Sequence, residues 1–189
     1  MVQKKNIHLV EAIKEQLAAF DFEVGTQFEE MSRDAVDDFD KYTIVKDVVE
    51  LGCGDGAAIK RFLELGYKVS GVDVNPLKVE KCPEGATVVT DDILTFLNMK
   101  ESNSIENIFT HHVLEHTIHY DDILKQVSRT LKPGGLFMGV VPAHDHIHSV
   151  HHVEFNDPRD IAIEEFEDVY CELKSRIQPE FHYIGRKVS

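Results

Sequence analysis

The chain has 189 residues, 42% of them hydrophobic and 29% charged, enough to bury the core of one domain and few for two. A formal charge of −14 and a pI near 5.1 argue against a protein that grips nucleic acid or an anionic membrane through clustered Lys and Arg. Cys53, Cys82 and Cys171 are odd in number and lack C-x-x-C spacing, so neither a disulfide framework nor a zinc knuckle is indicated. The N-terminus lacks the apolar stretch of a signal peptide, and no apolar run approaches the roughly 20 residues that cross a bilayer. The expectation is a soluble, cytoplasmic protein with no membrane partner.

In chain order, Val10, Ile13, Leu17 and Phe20 recur at helical spacing, and Phe28, Met31, Ala35 and Phe39 repeat the pattern over residues 28–42. From Asp47 the rhythm becomes strand, turn, helix, the mark of an α/β fold with a doubly wound, mostly parallel sheet and helices on both faces. Strands are expected near 47–51, 67–73, 86–90, 105–112 and 136–142, and helices near 57–65, 76–81 and 119–131. Lys132-Pro133-Gly134-Gly135 reads as a sharp helix stop and turn before the fifth strand. Beyond Pro142 a histidine-rich stretch leads to an expected helix from 157 or 158 to about 176, then to the apolar run Phe181-His182-Tyr183-Ile184. With a single late strand legible, the C-terminal edge of the sheet is expected to be shortened.

The stretch that carries most chemistry is Val48-Val49-Glu50-Leu51-Gly52-Cys53-Gly54-Asp55-Gly56. An apolar strand feeding a glycine-rich turn and a helix lets a cofactor touch the backbone. The second strand ends in Asp73, followed by Val74, and a carboxylate there can grip the two hydroxyls of a ribose. Gly52-x-Gly54-x-x-Ala57 alone also satisfies the dinucleotide pattern. Glu50 tilts the choice, because a carboxylate there repels a pyrophosphate but accepts hydrogen bonds from an ammonium group.

Taken with the later segments, the acid followed by alternating glycines resembles the first motif of the class I S-adenosylmethionine-dependent methyltransferases. The resemblance covers residues 48–142 and rests on several motifs in order. Val88-Val89-Thr90-Asp91-Asp92-Ile93-Leu94 matches the segment in which the family keeps an acid for the adenine amino group. Ile108-Phe109-Thr110-His111-His112-Val113-Leu114-Glu115-His116 is similar to the family segment ending in Leu-Glu-His, and Lys132-Pro133-Gly134-Gly135 closes the set. An aspartate usually opens the fourth strand of relatives; here that position falls on Glu106 or Asn107.

The resemblance implies a Rossmann-like methyltransferase fold with S-adenosylmethionine as cofactor. It assigns the loop of Gly52, Cys53, Gly54 and Gly56 to close backbone approach, Glu50 to the amino acid end, and Asp73 with Val74 to the ribose. Asp92, with Asp91 and Ile93 beside it, falls to the adenine, although an Asp there also suits a helix N-cap. Thr110 and His111 fall beside the methionine part. On this reading residues 1–189 form a single domain, with 1–42 a helical cover and 143–189 an acceptor-side and edge region.

A sulfonium already activates the methyl group, so a base is needed only where the acceptor must lose a proton. His111, His112 and His116 are the candidates, at the carboxyl end of the fourth strand where open α/β sheets bind ligands; each also suits packing or a helix start. His144, His146 and His148 could converge on zinc if extended, but an acceptor-binding loop is the favoured reading and no metal is expected. The leading function is methyl transfer to a small-molecule acceptor, with no nucleic acid partner. Alternatives are protein methylation, a non-catalytic S-adenosylmethionine-binding or metal-sensing module, and an NAD oxidoreductase resting on the ambiguous loop alone.

Overall fold

The computed structural model describes residues 26–143, 153–174 and 177–188. The segment 10–20 and the histidines from His144 to His152 lie outside them. Seven strands make one sheet: β1 (Asp47–Leu51), β2 (Lys68–Asp73), β3 (Thr87–Thr90), β4 (Ile105–His111), β5 (Leu131–Pro142), β6 (Phe166–Lys174) and β7 (Glu180–Lys187). Their order is β3-β2-β1-β4-β5-β7-β6. The first five run parallel, and β7 inserts antiparallel between β5 and β6.

Neighbouring residues on the central strands serve opposite faces, as the two-residue period of a strand requires. Val49, Ile108, Phe137 and Val141 pack with α4 (Ile93–Asn98) and α5 (Tyr120–Thr130). Val48, Phe109, Met138 and Val140 pack on the other face with α1 (Thr26–Asp40) and α2 (Ala57–Glu64). The sheet is thus buried on both sides, as parallel strands generally are. The stripe expected in residues 28–42 is the inner face of α1: Ala35, Val36 and Phe39 are fully buried, and Phe39 meets Phe62 and Phe109 edge-on. A short helix, α3 (Pro76–Val79), begins at the Asn75 cap and Pro76.

Three local expectations need correction. The helix α4 between β3 and β4 was not among the expected elements; Asp92 caps it, its Oδ1 accepting from Thr95 N–H at 3.0 Å. Lys132-Pro133-Gly134-Gly135 does not precede β5 but lies within it, as an irregularity where Leu131 pairs with Ile105 and Leu136 with Asn107. The helix expected from about 157 to 176 is instead a one-turn 3-10 segment, Pro158–Ile161, followed by β6. Phe166, Tyr170 and Leu173 mimic helical spacing, yet pairing with β7 at Lys187, Ile184 and Phe181 offers this segment a full ladder of backbone partners. The expected change at the C-terminal edge therefore takes the form of an antiparallel hairpin, and no strand is lost.

The departure at the start of β4 also has a structural account. Asn107 is buried; its Nδ2 donates to the carbonyls of Val45 and Asp47, and its Oδ1 accepts from Leu136 N–H. Glu106 lies outside this set and pairs with Lys132.

Candidate active site

Strand order reverses at β1, with β2 on one side and β4 on the other, and open α/β sheets bind ligands beyond the carboxyl ends of the strands at such a switch. The glycine loop leaves β1 there. Gly54 has φ +53°, and a Cβ built on it meets nothing within 4 Å, so the loop presents bare backbone to open space. Gly52 is different: a Cβ would lie 2.3 Å from Val113, which packs the segment after β4 tightly against the loop.

Asp73, at the end of β2, holds this loop in shape. Gly54 N–H donates to its Oδ2 at 2.8 Å, and Asn75 N–H to its Oδ1 at 2.8 Å. Each carboxylate oxygen retains capacity for a further donor. Val74 beside it is 44% exposed, an apolar surface next to that carboxylate. Cys53 is buried, its thiol pushed up out of the reactive range by desolvation. Asp91 and Asp92 stand at the end of β3 with one oxygen each engaged by backbone N–H groups, and Ile93 packs toward the core below them.

Glu50 is 3% exposed, and its Oε2 has no hydrogen-bond partner among the described residues. Desolvation raises its pKa well above the ordinary carboxylate value, and the nearby Asp73 and Asp55 add to the rise. A buried, unpartnered carboxylate oxygen beside a bare glycine loop suits an incoming ammonium.

On the other side of the switch point, His111 and His112 come together with Glu180. Thr110 pairs with Leu51 across the sheet, so this group lies next to the glycine loop. The His112 ring Nε2 stands 3.0 Å from Glu180 Oε2, and His111 Nε2 3.9 Å from the same oxygen. Glu180 Oε1 meets His182 Nε2 at 2.6 Å. The Phe28 ring of α1 covers both imidazoles edge-on, with centroids 5.0 and 5.7 Å away. His112 has φ +54°, a conformation L side chains rarely adopt and one that is retained where the surroundings demand it.

The electrostatics of the two histidines diverge. Burial, then the neighbouring His112, push His111 well below the ordinary imidazole value, so it is neutral. Burial also works against a charged His112, but the hydrogen bond it donates to Glu180 and the charges of Glu115 and Glu180 prevail and raise it. Glu115, in the 3-10 turn Leu114–His116, is pushed up to about 7 by burial. Its Oε1 lies 3.7 Å from both His112 Nδ1 and His116 Nε2.

Of the three candidate bases, the structure brings His111 and His112 together and puts His116 behind Glu115. Sequence reasoning missed Glu180 and His182, Ser32, whose Oγ stands 3.4 Å from His111 Nδ1, and Asp38, whose Oδ2 stands 3.8 Å from His182 Nδ1. One signal was available: Glu180 and His182 are two apart at the start of a strand whose next residues, Tyr183 and Ile184, are apolar, which places two polar side chains on one face. The zinc reading of His144, His146 and His148 falls outside the described residues.

A bare glycine loop, an acid at the end of β2 and an orphaned carboxylate define a nucleoside-binding α/β protein. The model of a methyltransferase-domain family matches residues 5–173, and the chain belongs to that family. It is an S-adenosylmethionine-dependent methyltransferase, and S-adenosylmethionine is its cofactor. No curated protein matches the chain in sequence.

Among solved structures, the chain is similar to the Burkholderia thailandensis 1,6-didemethyltoxoflavin-N1-methyltransferase with bound 1,6-didemethyltoxoflavin and S-adenosylhomocysteine. Identity is 17%, coverage 99% of this chain and 90% of that one, and the TM-score 0.72. A SAM-dependent methyltransferase from Archaeoglobus fulgidus superposes with TM-score 0.70 at 14% identity, over 84% of this chain and 94% of its own. The 4+2 cyclase SpnF shares the fold with TM-score 0.68 at 12% identity, over 82% of this chain and 81% of that one. At such identities these likenesses describe the fold.

Proposed function

We propose that this methyltransferase acts on a small-molecule acceptor, held between the glycine loop and the group of His111, His112, Glu115 and Glu180. The observation that carries the reading is enclosure: His111 is 4% and Glu180 5% exposed, beneath α1 and the Phe28 ring. A buried polar group beside the donor loop, screened from solvent by α1, favours a compact acceptor over a polymer segment.

When bound, S-adenosylmethionine supplies a methyl group already activated by its sulfonium. The chain orients it: Glu50 Oε2 takes the ammonium, Asp73 the ribose hydroxyls with Val74 alongside, and Asp92 or Asp91 the adenine amino group near Ile93. The backbone of Gly52, Cys53, Gly54 and Gly56 lines one side and that of Thr110 and His111 the other. Holding donor and acceptor in line while excluding water is the main catalytic task. A proton leaving an acceptor hydroxyl passes to the buried histidine and glutamate group, with His116 further from it. Residues 1–42 serve as a cover and 143–189 as the acceptor-side and edge region of one domain, and the reaction belongs in the cytoplasm.

The test is incubation of the full chain with methyl-labelled donor and a cell extract, followed by separation of small molecules from macromolecules. Label in the small-molecule fraction that is lost in the Gly54→Val variant supports the proposal. Label confined to protein or nucleic acid overturns it.

A further inference from the structure

We propose that His111, His112 and Glu180 form a binding site for a divalent transition-metal ion of the zinc type. One donor atom from each lies within 4.8 Å of the other two, which marks them as a group that could hold an ion. Zinc bonds of about 2.0–2.2 Å to nitrogen and oxygen imply ligand separations of roughly 3–3.6 Å. The separations from Glu180 Oε2 to His112 and His111 Nε2, 3.0 and 3.9 Å, bracket that range. Two imidazoles and a carboxylate are a donor set of the kind found in zinc centres that keep a position open to a further ligand.

A hydrogen-bonded ion pair of His112 and Glu180 is the simpler reading, and it leaves atoms stranded. His111 Nε2 and both oxygens of Glu115 are buried without a hydrogen-bond partner among the described residues, an arrangement native proteins generally avoid. A cation resolves the first directly. With Nε2 of His112 on the metal, the ring proton sits on Nδ1, on the side of Glu115 Oε1 3.7 Å away, a separation longer than a hydrogen bond.

Each of the other two ligands also has an outer partner. His111 Nδ1 faces Ser32 Oγ at 3.4 Å, and Glu180 Oε1 faces His182 Nε2 at 2.6 Å. Metal-bound histidines and carboxylates are oriented by such contacts. The left-handed backbone of His112, at φ +54°, is the sort of strain that a functional constraint maintains. Glu180 also borders a cleft between α1 and the β6–β7 hairpin, where Asp37, Asp38 and Glu172 stand. This inference goes beyond methyl transfer: an ion on these atoms leaves Glu115 as the member of the group that takes the acceptor's proton, and donor binding does not depend on the ion.

The test uses the full chain after chelator treatment, titrated with cobalt(II) and followed by visible absorption, with zinc affinity measured by competition against a chromophoric chelator. The expected result is saturation at one ion per chain with the intense bands of low-coordinate cobalt. Glu180→Gln should weaken binding by at least about 100-fold, and Glu115→Gln, a positioning change acting through His112, by about 10–100-fold. Replacing His144, His146 and His148 together by Gln should leave affinity unchanged. Should Glu180→Gln fail to fold, His111→Gln replaces it, with circular dichroism confirming the fold. Failure of the wild-type chain to bind stoichiometrically, or binding that the ligand variants leave intact, overturns the proposal. Calorimetry with S-adenosylhomocysteine in parallel separates that failure from one of the donor site.

Discussion

The donor side and the acceptor side of this site are built in opposite ways. The donor loop is made of backbone: Gly54 and Asp73 are 19 residues apart and joined by one hydrogen bond from a main-chain N–H. The acceptor side is made of buried side chains, with His112 and Glu180 joined across 68 residues. Local backbone geometry tolerates little substitution, whereas a side-chain group can be dismantled one member at a time. That difference can be tested.

The largest effect is expected at the loop. Gly54→Val places a branched side chain in open space at φ +53°, and should weaken S-adenosylhomocysteine binding by more than about 100-fold in calorimetry. Strain of about 1–3 kcal/mol should lower the melting temperature by several degrees without unfolding the chain. Normal affinity would show that the loop is only a turn.

Asp73→Ala should cost about 1.5–3 kcal/mol of donor affinity, the usual range for hydrogen bonds to a charged group. Because Asp73 also fixes Gly54 and Asn75, Asp73→Asn, which keeps one acceptor oxygen, should lose less. Equal losses in the two variants would separate ribose recognition from loop support.

Glu50→Gln should weaken binding by about tenfold, near the low end of that range, and change its coupling to protons. Burial raises the Glu50 pKa above 4.5, whereas a bound ammonium favours the carboxylate. Binding therefore releases a proton, and affinity rises with pH through the range above 4.5. Calorimetry in buffers of different ionisation enthalpy should detect the release in the wild-type chain and its loss in the variant.

The smallest effect is expected at the acceptor-side support. Burial would raise the Asp38 carboxyl, but hydrogen bonds from Lys174 and Lys41 hold it below its ordinary value. A folded-state pKa below the unfolded one contributes stability above the unfolded value, near 3.9, and loses it as pH falls through the folded value. Asp38→Asn should therefore lower the melting temperature by about 2–4 °C at neutral pH, for a loss of about 1 kcal/mol. The gap should shrink in acid. An undiminished gap there would assign the effect to packing.

The contrast also explains what could be read in advance. Glu50, the glycines and Asp73 lie on consecutive elements, so strand ends and turn chemistry locate them without tertiary knowledge. Helix α4 escaped notice because Asp92 carries two signals, a cap and a ligand acid, and the cap is what the backbone shows. The β6 segment was misread because its apolar spacing fits a helix until β7 supplies a partner. Glu180, held by His182, reaches His112 only because β7 inserts beside β5, a choice of topology that no local pattern announces.

The insertion of β7 between β5 and β6 has a consequence for synthesis. A chain made from its N-terminus contains Gly54 and Asp73 long before it contains Glu180, and contacts distant in sequence form more slowly than near ones. The loop that receives the methyl donor can thus take shape on a nascent chain that still lacks Glu180. A product halted before β7 would lack both the carboxylate beside His112 and the buried Phe181, Tyr183 and Ile184, so the acceptor side and the last of the core arrive together at the end of synthesis.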